Sequence, residues 1–172
     1  MHEFHPNKDL ESLDPGIFNL IRLEDERQTR RLIMIPSESI APKAVRELLG
    51  SSFTNVYAEG YPRSESRGFS EDEIFDYTQQ LGTYRRYSDN RYYKGVEYVD
   101  VLEALARRRC VEAFAANGMG PDQLFANVQP LSGAPANNAV YTAFLQPGDT
   151  ILGMSLLHGG HLTHGSSVNR SG

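Results

Sequence analysis

Three of the five histidines in this chain fall at intervals of three in LLHGGHLTHGSSVN, as His158, His161 and His164, with glycines packed between them. Clustered imidazoles suit a metal ion, which takes neutral ring nitrogens as ligands. They equally suit a flat cofactor, which needs one imidazole laid against its ring by a stiff loop. Satisfied structural histidines are the plainer alternative. No acid and no cysteine follows Asp149, so a metal would lack support from this stretch. A second stretch, PLSGAPANNAV, runs Ser132, Gly133 and Ala134 straight into a helical pattern. Free N–H groups at a helix start favour an anion, and the Ser132 hydroxyl adds a donor. A tight strand-to-helix turn without ligand fits too. The loop is neither G-x-G-x-x-G nor G-x-x-x-x-G-K-[ST], so neither nucleotide fingerprint is supported. A third cluster joins NVYAEGYP to NRYYKGVEYVD. There Glu59 lies between Tyr57 and Tyr61, and Tyr92 and Tyr93 follow Arg91. A carboxylate ringed by phenols can move a proton or bind a hydroxyl. An aromatic surface packed on another subunit is the competing reading.

Elements must hold these groups. Asp14-Pro15 reads as a cap followed by proline at the first helical position. LIMIP, Leu32 to Pro36, is a short apolar run, strand or extended. A second helix opens at Pro42 and stops at Gly50. Residues 51–98 carry most of the nine tyrosines, with many Gly, Ser and Arg and little helical period. A long helix is predicted from about Val99 to Ala116, with Cys110 buried in it. Beyond it, FANVQ is strand-like, ANNAVYTAFL helical and TILGM strand-like. This is a βαβ unit, which implies an α/β fold with a parallel sheet.

The bulk numbers narrow the partners. At 172 residues, with 40% apolar and 10% aromatic residues, the chain is long enough for a packed core. A net charge of −5 argues against non-specific nucleic-acid binding, which needs a basic footprint. A single cysteine excludes an internal disulfide framework and fits a reducing cytosol. No apolar run approaches membrane-spanning length and no secretory leader is visible, so a cytoplasmic protein is expected.

Together LIMIPSES, TNVYAEGYP, RYYKGVEYVD, NVQPLSGAPANNAVY and PGDTILGMSLLHGGHLTHGSSVN resemble serine hydroxymethyltransferase, in family order and over most of residues 32–169. The resemblance implies a pyridoxal-phosphate enzyme of the aminotransferase type. Its layout would be a helical arm (1–50), an active-site and dimer-interface segment (51–98), and the start of a large, mainly parallel-sheet domain (99–172). It implies interconversion of serine and glycine with tetrahydrofolate as co-substrate, in a homodimer or dimer of dimers with shared sites. His161 then matches the histidine stacked on the cofactor ring, and no metal is implied. Ser132, Gly133 and Ala134 match the phosphate loop, and Tyr57 a tyrosine reaching the phosphate of the neighbouring subunit. Ser37, Glu59, Tyr92 and Tyr93 match substrate-site positions, with Glu59 beside the serine hydroxyl. Leu156, Gly160 and Leu162 match folate-contacting positions.

Three departures stand out. The family joins GYP to RYY through a couple of residues, whereas Arg63 to Asn90 intervene here. Leu131 and Pro135 replace a histidine and a glutamine of the phosphate loop, and MIPSES stands for the family's LIASEN. The family's Schiff-base lysine has no counterpart, since Lys8, Lys43 and Lys94 are the only lysines and none lies in a matching motif. The 172 residues are therefore expected to be the first part of a longer protein and inactive alone. A threonine aldolase-like, folate-independent lyase of the same fold and a truncated, non-catalytic dimerisation partner are the alternatives.

Overall fold

The computed structural model describes residues 7–169 and 171, and the chain divides into two compact units, Met1–Thr54 and Asn55–Gly172. In the first unit, α1 (Leu10–Leu13) and α2 (Pro15–Arg30) meet at Asp14. The Asp14 carboxylate accepts from the Ile17 N–H at 3.0 Å, and Pro15 takes the first helical position, where its missing N–H costs nothing. Helix α3 (Lys43–Leu49) follows Pro42 and ends at Gly50, whose N–H donates to the Arg46 carbonyl at 3.0 Å. LIMIP is neither helical nor paired, and Leu32 and Met34 are exposed.

The second unit is organised around α6 (Glu97–Phe114). Residues 64–87, expected to lack helical order, are largely helical. A 3₁₀ turn at Ser64–Gly68 leads to α4 (Glu71–Phe75) and α5 (Tyr77–Tyr87). The cause is local capping, which the aromatic and glycine-rich composition hid. The Ser70 hydroxyl accepts from the Glu73 N–H while the Glu73 carboxylate accepts from the Ser70 N–H, a complete capping box. Asp76 closes α4 through its N–H and opens α5 by accepting from the Gln79 N–H. All three elements pack on α6, so residues either side of position 98 share one unit. Ile74, Val96 and Ala104 form the buried apolar centre there. Asp89, Arg91, Glu103, Arg107 and Thr163 are buried as well, so polar groups hold much of this interior. Cys110 is half-buried in α6 rather than buried outright.

Helix α7 (Gly133–Phe144) forms where ANNAVYTAFL predicted a helix. The strands expected at either side do not form. FANVQ and TILGM carry no helix and no sheet ladder, and no strand occurs among the described residues. A strand is defined by a neighbour's N–H and C=O groups, and neither segment has one here. Phe125 is 79% and Leu152 99% exposed, so the apolar faces that suggested buried strands stand open in this unit. No helix among the described residues is long and apolar enough to cross a membrane.

Candidate active site

Arg91 builds the first half of the site. Its Nη1 donates to the Ala58 carbonyl at 2.6 Å and the Gly60 carbonyl at 3.2 Å, gripping the backbone on both sides of Glu59. Its Nε and Nη2 bind Asp100 at 2.6 Å and Glu103 at 2.7 Å. Those two acids lie three apart on α6 and share one face. Burial works against the guanidinium's charge, but the two carboxylates outweigh it and hold Arg91 above its ordinary pKa. The Tyr92 N–H completes the contact by donating to the Glu59 carbonyl at 3.0 Å. Gly60 is obligatory in this crossing. Its φ is +98°, and a Cβ there would stand 2.8 Å from the Arg91 Cα.

The result is a fixed backbone with free side chains. The Glu59 carboxylate is exposed and makes no bond among the described residues. Tyr92 is 81% exposed, and the Tyr57 and Tyr93 rings meet at 5.2 Å with a 32° tilt. Lys94 is committed elsewhere, its Nζ donating to the Asp89 carboxylate and to the carbonyls of Asp89 and Arg91. Burial and the neighbouring negative charge of Asp89 push the Asp100 carboxyl up to about 6 against the pull of Arg91. Asp89 is held below its ordinary value, because Lys94, Asp100 and the Arg91 N–H outweigh its burial. Asp89 Oδ2 is buried without a partner among the described residues, and the Asp89 and Asp100 carboxyls lie within hydrogen-bonding reach of one another.

The second half hangs on α7. Ser132 precedes it in extended backbone, and its hydroxyl makes no capping bond. The first intrahelical bond runs from the Ala136 N–H to the Ser132 carbonyl at 3.2 Å, which leaves the Gly133 and Ala134 N–H groups spare. Pro135 sits where an N–H would be unpaired in any case. Leu131 is 94% exposed.

Further along, the same helix fixes the histidine loop. Thr163, 2% exposed, accepts from Asn137 Nδ2 at 2.6 Å, and its carbonyl accepts from the Tyr141 hydroxyl at 2.7 Å. Its own N–H points at His161 Nδ1 at 3.2 Å, and its Oγ1 lies 2.7 Å from the same nitrogen. A nitrogen that receives an N–H carries no proton, which puts the neutral imidazole proton on Nε2. His164 lies 5.6 Å from the His161 ring, whereas His158 ends a 3₁₀ turn and takes no part. Gly159 has φ +99°, and a Cβ on Gly160 would fall on the Met154 carbonyl, so the loop folds back tightly on the segment before it. Leu156 and Leu162 are 53% and 44% exposed around Gly160.

Two side chains of the segment that leads into α7 reach the first half. Gln129 Nε2 donates to the Gly60 carbonyl at 2.7 Å and to Glu103, and Asn127 Nδ2 to the Tyr61 hydroxyl at 3.2 Å. Ser37 lies in the first unit, in an exposed turn closed by the Glu38 N–H on the Ile35 carbonyl. Sequence reasoning missed Arg91, Asp100, Glu103, Gln129, Asn137, Tyr141 and Thr163. A faint signal existed for two of them, since Asn137 and Tyr141 are four apart on one helical face.

The family model for serine hydroxymethyltransferase matches residues 10–88 and 84–172, nearly the whole chain. The chain belongs to that family, whose members work with pyridoxal phosphate and with tetrahydrofolate as co-substrate. It is 46% identical over all 172 residues to a serine hydroxymethyltransferase of Kocuria rhizophila, covering 33% of that protein. It is 47% identical to one from a Sulfurovum species and 45% identical to one from Bordetella avium, covering 95% of this chain and 31% of each relative. The chain thus spans about a third of the length of the curated relatives it matches.

Proposed function

We propose that this chain works as the N-terminal part of a cytoplasmic serine hydroxymethyltransferase that interconverts serine and tetrahydrofolate with glycine and 5,10-methylenetetrahydrofolate. The observation that carries the reading is the double use of α7. Its N-terminus offers an unspent hydroxyl and spare N–H groups, while Asn137 and Tyr141 on the same helix anchor the loop of His161. That donor set fits pyridoxal phosphate. Ser132, Gly133 and Ala134 would hold its phosphate, His161 would lie on its ring, and Tyr57 would reach the phosphate of a neighbouring subunit in a homodimer. Bound there, the cofactor supplies the electron sink for the bond cleaved at the amino acid's α-carbon.

The chain's own groups do the rest. Ser37, Tyr92 and Tyr93 would position the amino acid, and Leu156, Gly160 and Leu162 would form an apolar edge for the folate. Glu59, whose carboxylate makes no bond among the described residues, would hold the proton of the serine hydroxyl. The mainly parallel sheet of the large domain belongs to the same proposal, with FANVQ and TILGM as strands once neighbours supply their ladders.

The test is Glu59→Gln in the protein expressed from its complete reading frame. Folate-dependent serine cleavage should fall by roughly 10²–10⁴-fold, the usual contribution of a positioned acid–base group. Glycine, which has no hydroxyl, should bind as before. An unchanged cleavage rate would remove Glu59 from the proton path.

A further inference from the structure

Arg107 is the anomaly of the second unit. It is 6% exposed, and its Nη2 donates to the Ser66 hydroxyl at 2.7 Å, but its Nε is buried without a partner among the described residues. Buried guanidinium groups are ordinarily paired with a carboxylate. The acids that might serve, Asp100 and Glu103, both bind Arg91 instead. Burial pushes Arg107 below its ordinary pKa; the charge of Glu103 offsets part of this, and the positive charges of Arg67 and Arg91 add to it.

Beside it opens a cleft of about 380 Å³, lined by Tyr61, Ser64, Arg67, Asn90, Tyr92 and Arg107 along with Gly60 and Pro62. The lining holds two guanidinium groups and no carboxylate. Arg67 lies over the Phe125 ring at 5.5 Å and forms no ion pair among the described residues. The side chains of Ser64, Asn90 and Tyr92 also make no hydrogen bond among those residues. A buried guanidinium with no carboxylate bonded to it among the described residues, at the wall of a concave site rich in unused donors, calls for a negative ligand.

We propose that this cleft, between residues 60–67 and α6, binds a small oxyanion, a carboxylate or a phosphate, through Arg67 and Arg107. Guanidinium groups suit both, because their planar donors match either oxyanion in pairs. Tyr92 borders the cleft, so the bound anion lies next to the backbone that carries Glu59. The site is independent of the phosphate-binding reading of α7.

Calorimetric titration of the complete protein tests it, with inorganic phosphate and glutarate added separately at an ionic strength fixed by sodium chloride. One equivalent per chain should bind, and Arg67→Met and Arg107→Met should each weaken it roughly tenfold or more, the scale of a hydrogen bond to a charged group. Arg67 is exposed, so Arg67→Met reads the site even where Arg107→Met fails to fold. Tighter glutarate assigns a carboxylate ligand, and tighter phosphate assigns a phosphate. Phosphate held at the α7 N-terminus would be lost in Ser132→Ala and kept in Arg67→Met, which separates the two sites. No saturable binding of either anion, or binding indifferent to Arg67→Met, overturns the proposal.

Discussion

Two buried side chains fix the two halves of the site, and they do so by opposite means. Arg91 holds the Glu59 segment with a full charge, balanced by two carboxylates and spent on two carbonyls. Thr163 holds His161 with neutral hydrogen bonds that run to α7. A charged clamp is strong only while complete, because removing one member strands the other in the interior. A neutral clamp loses one bond at a time. The Glu59 half should therefore fail with global consequences and a pH signature, and the His161 half locally.

Arg91→Ala is the harshest way to press that contrast. It leaves Asp100 and Glu103 without their cation, and the cost should be about 3–5 kcal/mol, read by urea unfolding. A loss below about 1 kcal/mol would show that the carboxylates find water or other partners. Thr163→Val deletes the hydroxyl between Asn137 and His161 while keeping the shape, and should cost about 1–3 kcal/mol. Its more telling readout is the long-range ¹⁵N spectrum of His161. The wild type should show an unprotonated Nδ1, Thr163→Ser should preserve it, and Thr163→Val should broaden or mix it. An unchanged spectrum would mean that the loop backbone alone sets the ring.

The gentlest test is pH. The raised Asp100 carboxyl lets the folded state keep a proton that the unfolded chain releases, so its contribution makes stability fall as pH rises from roughly 4 to 6. Asp89, held low, contributes the other way, losing stability only as pH falls below roughly 4. Asp100→Asn can donate to Asp89 and accept from Arg91 at any pH. It should flatten the slope between roughly pH 4 and 6, the interval the Asp100 shift spans, with little loss of stability. A slope as steep as the wild type's would assign the proton elsewhere.

How well the sequence could be read depends on the range of the physics. Asp14-Pro15, Gly50 and the apolar period of α6 act within a few residues of themselves, and the helices lie where those signals put them. The Ser70–Glu73 box was equally local, yet the tyrosines and glycines around it masked it. FANVQ and TILGM have strand-like composition, but pairing is a property of neighbours and not of the segment. The motif residues Glu59, Ser132 and His161 are visible as types in small-residue loops. Their clamps are not, since Arg91 reaches carbonyls more than thirty positions back and Thr163 meets a helix some twenty positions away.

Residues 63–90 have a consequence for heredity. The segment carries its own starts and stops, in Ser70 with Glu73 and in Asp76, and fastens to the host through buried Ile74 beside Val96 and Ala104 and through Ser66–Arg107 and Glu71–Arg109. A stretch that folds on internal instructions can enter a lineage in one genetic event, and the host then adapts to it at the few positions that its side chains cover, here Val96, Ala104 and Arg107. Arg107 would record such an event. In a descendant that lost the segment, its buried charge would lack the Ser66 hydroxyl, and an apolar residue there should become the favoured replacement.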